Sequence, residues 1–330
     1  MRRYGLLITI ALAAGIAVPL LLGGGELLPA LLTLPAWTLP LTLGLVVVGW
    51  NCNAARVRLL SSSFGLQLSQ WRALGTIMAV EFAFVATPAG GGGPVALVWL
   101  LQQRGARASD GAAVFAVDQI IDLLFFMTAI VAIALTFMVT PADSGVALHL
   151  TIMALLVALA IAALLGLLHH YRHWLLVGGK LLRPLRISRV RRRRIARAIL
   201  RFRAAVQLML KLPWHRLLLV YLLCAGHWLI RYTILFIILR AIDIDEIGWG
   251  FLFVTQMVAF TAGQFTFLPG GTGGVEITIT AMLGPLLGAA TLAAVMLVWR
   301  FATFHWYLIA GGTMFALLAG RPLWQQLRGR

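Results

Sequence analysis

Apolar residues fill long blocks of this 330-residue chain: Tyr4 to Leu22, Trp37 to Ala55, Ala73 to Ala86, Val95 to Leu101, Ala112 to Val139, Val146 to Leu168, Leu217 to Leu239, Ile247 to Leu268, Val275 to Leu287 and Ala289 to Ala319. A helix needs about 20 such residues to cross the ~30 Å hydrocarbon layer of a membrane. The long blocks reach that length and several short ones do not. The short blocks come in pairs, each joined by a run that cannot continue a helix. These runs are Thr87-Pro88-Ala89-Gly90-Gly91-Gly92-Gly93-Pro94 and Pro269-Gly270-Gly271-Thr272-Gly273-Gly274. Non-helical backbone survives at membrane depth only inside protein or beside a watery cavity. Each pair therefore predicts a re-entrant broken-helix hairpin, over 73–103 and 247–287. The alternating ten-residue segments of a membrane β-barrel are missing.

Composition narrows the class. With 61% hydrophobic and 11% charged residues and a mean hydropathy of +0.95, a soluble globular protein is excluded. The expected fold is an all-α polytopic membrane protein of about six full spans plus the two hairpins. Cys52 and Cys224 have no second Cys or His at ligand spacing, which argues for packing residues over a disulfide or zinc. Arg2, Arg3 and the run after them lack a clear cleavage signal, so they read as an uncleaved first helix.

The net charge of +17, from 27 basic and 10 acidic residues, orients the spans. Basic residues concentrate in cytoplasmic loops, and 24 of the 27 fall on one side of a single consistent topology. Arg231, Arg240 and Arg300 are the exceptions. The loops around Glu26, Pro141 to Gly145 and Asp243 to Glu246 then face outside, and both termini are cytoplasmic. The first hairpin opens to the cytoplasm and the second to the outside. An offset of 181 residues places Pro88 on Pro269 and Gln119 on Arg300. The chain thus reads as two inverted repeats, 1–145 and 146–330. Each has two spans, a hairpin and a span, and the second carries a cytoplasmic basic loop at 169–216. In transporters built this way the site lies at broken helices near the midplane.

Glu81, Asp118, Asp122, Glu276, Arg231 and Arg300 lie in or beside apolar blocks, where an ionised group faces a cavity or a partner. Asp118 and Asp122 share a helix face and are candidates to hold a proton between them; the structural alternative pairs Asp118 with Arg300. Glu81 and Glu276 complete the set of coupling or cavity charges. The breaks at Gly90, Gly91, Gly92, Gly93 and at Gly270, Gly271, Gly273, Gly274 start half-helices, whose N–H groups attract anions such as phosphate. The alternative is that glycine merely permits a tight turn. Thr87 and Thr272 stand where a hydroxyl caps a helix, and Glu276 where a carboxylate does. With Arg231 and Arg300 these residues form the candidate substrate site. No nucleotide-binding loop is present.

Arg183 to Arg203, with apolar Ile187, Val190, Ile195, Ile199 and Phe202 among the arginines, predicts binding to the anionic cytoplasmic leaflet and not to nucleic acid. His169, His170 and His173 beside Tyr171 and Trp174 suit an interfacial belt. No metal site, cofactor site or nucleophile–base pair stands out, and the chain is expected not to be an enzyme.

Asn51 and Asn53 with Arg56, Thr87-Pro88-Ala89-Gly90 to Gly93, Asp118 with Asp122, and Pro269-Gly270-Gly271-Thr272-Gly273-Gly274-Val275-Glu276 together resemble a flippase-like integral membrane family. That family, the UPF0104 group, includes the transmembrane region of lysylphosphatidylglycerol synthetases. The likeness covers nearly the whole chain, and the PGG-x-G-x-x-E element is its most specific part. It implies movement of a phosphate-bearing or aminoacylated lipid between the leaflets of a bacterial cytoplasmic (inner) membrane, with Asn51, Asn53 and Arg56 as a cytoplasmic gate. No aminoacyl-transferase domain follows Arg330 in this sequence, so translocation is expected and synthesis is not. Two other readings compete: a small-solute or ion transporter, and a non-transporting partner of a lipid-modifying enzyme. Expected partners are the membrane lipid itself and either a second copy or a lipid-synthesising enzyme.

Overall fold

The computed structural model describes residues 16–139 and 189–328, with Leu155, Leu159 and Gly166 between them. Every regular element among the described residues is helical. They are α1 (Ile16–Leu32), α2 (Thr38–Ser62), α3 (Gln70–Val85), α4 (Gly92–Gln102), α5 (Ala108–Val139), α6 (Arg189–Leu210), α7 (Trp214–Arg240), α8 (Trp249–Gln264), α9 (Gly274–Leu283), α10 (Ala289–Arg300) and α11 (Gly312–Arg328). Two π-helical stretches, Phe301–His305 and Tyr307–Gly311, join α10 to α11. Among the described residues, four stretches are long and apolar enough to cross a membrane: Thr38–Ser62, Ala108–Ile133, Trp214–Arg240 and Ala289–Gly320.

Several boundaries move for local reasons. The segment around Glu26, expected as a loop, is helical: a 310 turn at Gly24–Glu26 leads into Leu27–Leu32, and the non-helical stretch that follows is residues 33–37. Apolar α2 continues past Ala55 to Ser62, so Arg56 and Arg58 lie within the helix and not in the turn after it. Arg56, counted above among the cytoplasmic charges, is buried. Within the expected basic loop 169–216, residues Arg189–Leu210 form a 22-residue helix. Its spaced apolar positions have the helical period, and Ala205, Val206 and Met209 are buried where α6 packs on α5. The first span, Tyr4 to Leu22, is described only from Ile16. The expected span Val146 to Leu168, the loop Pro141 to Gly145 and the histidines at 169, 170 and 173 lie outside the described residues, save for Leu155, Leu159 and Gly166, which are helical.

The chain divides into two compact units, each drawing on both halves of the sequence. One gathers Met1–Ala55, Ser69–Ala96 and Ala225–Arg330; the other gathers Arg56–Leu68 and Leu97–Cys224. In the first, helices meet through small residues, which let backbones approach closely where lipid offers no hydrophobic drive for association. α1 meets α10 through Leu27, Ala293 and Ala294. α8 meets α9 where Gly263 backs onto Gly271 and Ala262 onto Gly274. α3 meets α11 and the second π stretch, with Gly75 beneath Met314 and Gly311 against Met78 and Phe82.

The last of these contacts has no slack. A Cβ added at Gly311 would stand 2.5 Å from the Met78 carbonyl oxygen and 2.9 Å from the Phe82 Cβ, whereas one added at Gly44 in α2 would meet nothing within 4 Å. Gly311→Ala is expected to destabilise the protein by about 1–3 kcal/mol, the usual range for overpacking. Gly44→Ala should be neutral or slightly stabilising, since alanine is the better helix former. Unfolding midpoints of both variants in the same detergent will check the contrast.

Candidate functional site

The two glycine breaks fold alike because the same chemistry governs both. The residue before a proline is pushed out of the helical region: Thr87 takes φ −122°, ψ 149° and Leu268 φ −95°, ψ 149°. A 310 turn follows in each, Pro88–Gly90 and Pro269–Gly271. Each turn then needs two left-handed residues. Ala89 and Gly90 supply φ 49° and 70°, and Gly270 and Gly271 supply 64° and 66°. The turns touch one another within the first unit.

Most of the N–H groups expected to face an anion are already used inside the turns. Gly90 donates to Thr87 O (3.2 Å), Gly91 to Pro88 O (3.2 Å) and Gly271 to Leu268 O (3.1 Å). Gly92 donates to the Thr87 hydroxyl at 2.7 Å, so Thr87 caps α4. Gly273 donates to Glu276 Oε2 at 2.7 Å, so Glu276 caps α9. Gly93 and Gly270 lie against the rings of Phe84 and Phe304, where any Cβ would collide. Thr272 does not cap: its hydroxyl donates to Pro269 O and accepts from Arg300.

Arg300 closes the second turn. Its Nε stands 2.7 Å from Glu276 Oε1, and both side chains are 1% exposed. Its Nη1 donates to Gly270 O (3.2 Å) and its Nη2 to the Thr272 hydroxyl (3.3 Å). The guanidinium also lies 4.7 Å from the Phe304 ring centre. A carboxylate, a carbonyl, a hydroxyl and a ring thus surround this cation. The helix that presents it is braced by Trp299, which donates to Gln256 Oε1 (3.1 Å) while the Gln256 amide donates to Tyr232 O and Leu252 O.

Arg231 on α7 is held differently. Its Nη1 donates to the Tyr307 hydroxyl at 2.6 Å, and the rings of Tyr307, Phe260 and Trp228 surround its guanidinium at 4.9, 5.2 and 5.8 Å. Its Nε is buried and has no hydrogen-bond partner among the described residues. The carboxylate within its electrostatic reach is Glu81, which accepts from Asn53 Nδ2 at 3.2 Å. Asn51 serves the scaffold instead, bonding Val47 O and receiving Gln70 at the start of α3. Tyr307 packs edge-on against Trp50, with ring centres 5.0 Å apart.

The second unit has its own buried arginine. Arg56, 1% exposed, contacts Asp118 Oδ1 at 2.5 Å and Asp122 Oδ1 at 2.8 Å. Gln119 and Cys224 also reach Asp122, at 3.0 and 3.2 Å. The partner of Asp118 is therefore Arg56, while Arg300 pairs with Glu276. The structural alternative that pairs Asp118 with Arg300 is not what forms, because each already has an opposite charge against it.

Sequence reasoning missed Tyr307, Phe260, Trp228 and His227 around Arg231. The π-helical backbone displaces Tyr307 from any 3.6-residue pattern. His227 was detectable: it is an ionisable residue inside an apolar block, four positions before Arg231.

Removing one member of a buried ion pair leaves an uncompensated charge and costs about 3–5 kcal/mol, whereas removing both costs far less. Arg300→Met is expected to show that loss in detergent unfolding experiments. Adding Glu276→Gln should recover part of it, because the amide oxygen still accepts from Gly273. A double variant less stable than the sum of the two singles would refute the pairing.

Comparison with known proteins bears the family resemblance out. The chain is 23% identical over 264 residues to a UPF0104 membrane protein of Archaeoglobus fulgidus, a match covering 78% of this chain and 79% of that one. The family described as the lysylphosphatidylglycerol synthase TM region matches residues 6–311. With four helices able to span and a family match over nearly its whole length, this multi-pass membrane protein belongs to the lysylphosphatidylglycerol synthase TM region family.

Proposed function

We propose that the protein is a lipid translocase which moves a phosphate-bearing or aminoacylated lipid between the leaflets of a bacterial cytoplasmic membrane. The observation that carries this reading is Arg231: a buried cation with an unused N–H, walled by three aromatic rings. Glu81 answers this guanidinium only at a distance, and a phosphate that takes bidentate hydrogen bonds would meet it at close range. Rings tolerate a headgroup in transit without adding polar groups that must be desolvated. The family, named for a lipid-synthesising enzyme's membrane region, supports a lipid substrate. The matched turns at Pro88 and Pro269, 181 residues apart, support an inverted repeat whose two hairpins are re-entrant and meet near the midplane.

In this reading the division of labour shifts from the one the sequence suggests. Arg231 contacts the phosphate, Arg300 with Glu276 keeps the second turn closed, and the glycines allow close packing of Phe84 and Phe304. The protein changes no covalent bond. Both termini are cytoplasmic, and α6 with the arginines before it rests on the anionic leaflet, where each basic residue adds about 1 kcal/mol. A second copy or a lipid-synthesising enzyme is the natural protein partner.

Vesicles reconstituted with the protein and a fluorescent phosphatidylglycerol will report transbilayer movement through quenching from outside. The parent is expected to accelerate exchange, and Arg231→Gln to slow it at least tenfold, about 1.4 kcal/mol, per molecule of folded protein reconstituted. Solute-driven currents without lipid movement would favour the ion or solute transporter instead.

A further inference from the structure

We propose that Tyr307 is a second donor to the headgroup, its hydroxyl and the Arg231 guanidinium together taking the two non-bridging oxygens of a phosphodiester. The inference rests on the translocase reading and adds a substrate-contacting residue to its site.

Tyr307 lies in the second π stretch and is 1% exposed. A phenol oxygen has two lone pairs and one hydrogen. Arg231 Nη1 donates to this oxygen at 2.6 Å. The buried Trp50 ring meets Tyr307 edge-on and turns its indole N–H toward the same oxygen, although Nε1 falls short of hydrogen-bond geometry. Both acceptor directions of the hydroxyl thus face donors. What remains is its own hydrogen, for which the described residues provide no acceptor. Arg231 has a matching deficit: its Nε is buried without an acceptor, and among the described residues its hydrogen bond is the one to Tyr307. Glu81 acts on both groups electrostatically and hydrogen-bonds to neither.

Buried donors without acceptors are costly, and native structures carry few of them. Here two stand on hydrogen-bonded neighbours, and both need the same thing: an acceptor, which beside a cation is best an anion. A phosphodiester carries two acceptor oxygens on one phosphorus, so the guanidinium can take one and the phenol the other. A hydroxyl whose oxygen already receives a donor becomes a stronger donor itself, because each bond polarises the next. Arg231 therefore prepares Tyr307 for the anion while holding it in place. The backbone contributes as well, since π-helical winding, frequent at functional sites, sets where Tyr307 falls around the helix. Trp228 and Phe260 keep some exposure, whereas Tyr307 and Trp50 are sealed. The headgroup accordingly approaches past the first two rings and stops at the phenol. A lipid without a phosphate offers these donors nothing.

Two short lipids test this on detergent-solubilised protein by calorimetry: dihexanoylphosphatidylglycerol, and dihexanoylglycerol, which lacks the phosphate. Tyr307→Phe keeps the ring and removes the hydroxyl. It is expected to weaken binding of the phospholipid about tenfold and to leave that of dihexanoylglycerol unchanged. Trp50→Phe keeps an aromatic edge against Tyr307 and removes the N–H behind its oxygen, so it should weaken the phospholipid by less, about threefold. In vesicles, exchange of fluorescent phosphatidylglycerol per molecule of folded protein should fall in the same order. Phospholipid binding and exchange at the parent's level in both variants, beside a loss in Arg231→Gln, would leave the hydroxyl hydrogen to a buried water; that overturns the second donor and leaves the translocase reading standing. Equal weakening for both lipids in Tyr307→Phe overturns it too, because the residue is then only a wall. A parent that neither binds the phospholipid nor exchanges it overturns the translocase reading, and the second donor with it.

Discussion

A guanidinium placed among apolar spans must be answered by something other than water, and this chain answers three of them in three ways. Arg300 receives a carboxylate, a carbonyl, a hydroxyl and a ring, all at close range. Arg56 receives two carboxylates, one of them also held by Gln119 and Cys224. Arg231 receives one phenol, three rings and a carboxylate acting at a distance. Desolvating an ion costs several kcal/mol whatever surrounds it, so the differences lie in what repays that cost. Full pairing makes a rigid strut. Partial pairing leaves a cation with capacity for a further anion.

The glycine turns follow from the same constraint. A strut between Arg300 and a backbone carbonyl requires that carbonyl to point inward, and Gly270 O does so only because residues 270 and 271 are left-handed. Left-handed backbone without a Cβ penalty calls for glycine, and the proline before it forces Leu268 out of the helix. Glu276, three residues beyond Gly273, serves twice: one oxygen caps the half-helix and the other meets Arg300. The PGG-x-G-x-x-E element is thus one mechanical part, in which proline, glycines and glutamate each have a separate physical duty. The first turn lacks the arginine, and its Thr87 hydroxyl does the capping.

Much of this was legible beforehand. Apolar block length predicted the spanning helices at Thr38–Ser62, Trp214–Arg240 and Ala289–Gly320, and Pro88 and Pro269 marked both breaks. Charges within apolar blocks stand out in the sequence as residues that need partners. Their partners were not legible, because pairing depends on which helix faces which, and hydropathy is silent on that once every face is apolar. Hence the sequence admits Asp118 against Arg300 as an alternative although its partner is Arg56, and Arg56 reads as a loop charge because the polar stretch after Ala55 resembles a helix end. The aromatic wall around Arg231 was hidden for a different reason. Aromatic residues in an apolar block look like ordinary packing, and the π turns at Phe301–His305 and Tyr307–Gly311 shift Tyr307 off any regular helical face.

The contrast between Arg231 and Arg300 also bears on how a translocase avoids trapping its cargo. An arginine that offered five free N–H donors to a phosphate in a dry setting would bind it too tightly to release. An arginine sealed like Arg300 would not bind it at all. Arg231 lies between these limits: Tyr307 occupies one Nη and Glu81 competes electrostatically for the charge, so an arriving phosphate displaces some attraction as it gains some. Aromatic faces add about 0.5–2 kcal/mol each to holding a cation, and they neither hydrogen-bond to a phosphate nor compete with it for the remaining donors. Such a site lowers the barrier for a charged headgroup without becoming a well, which is the energetic condition for moving a lipid and not storing it.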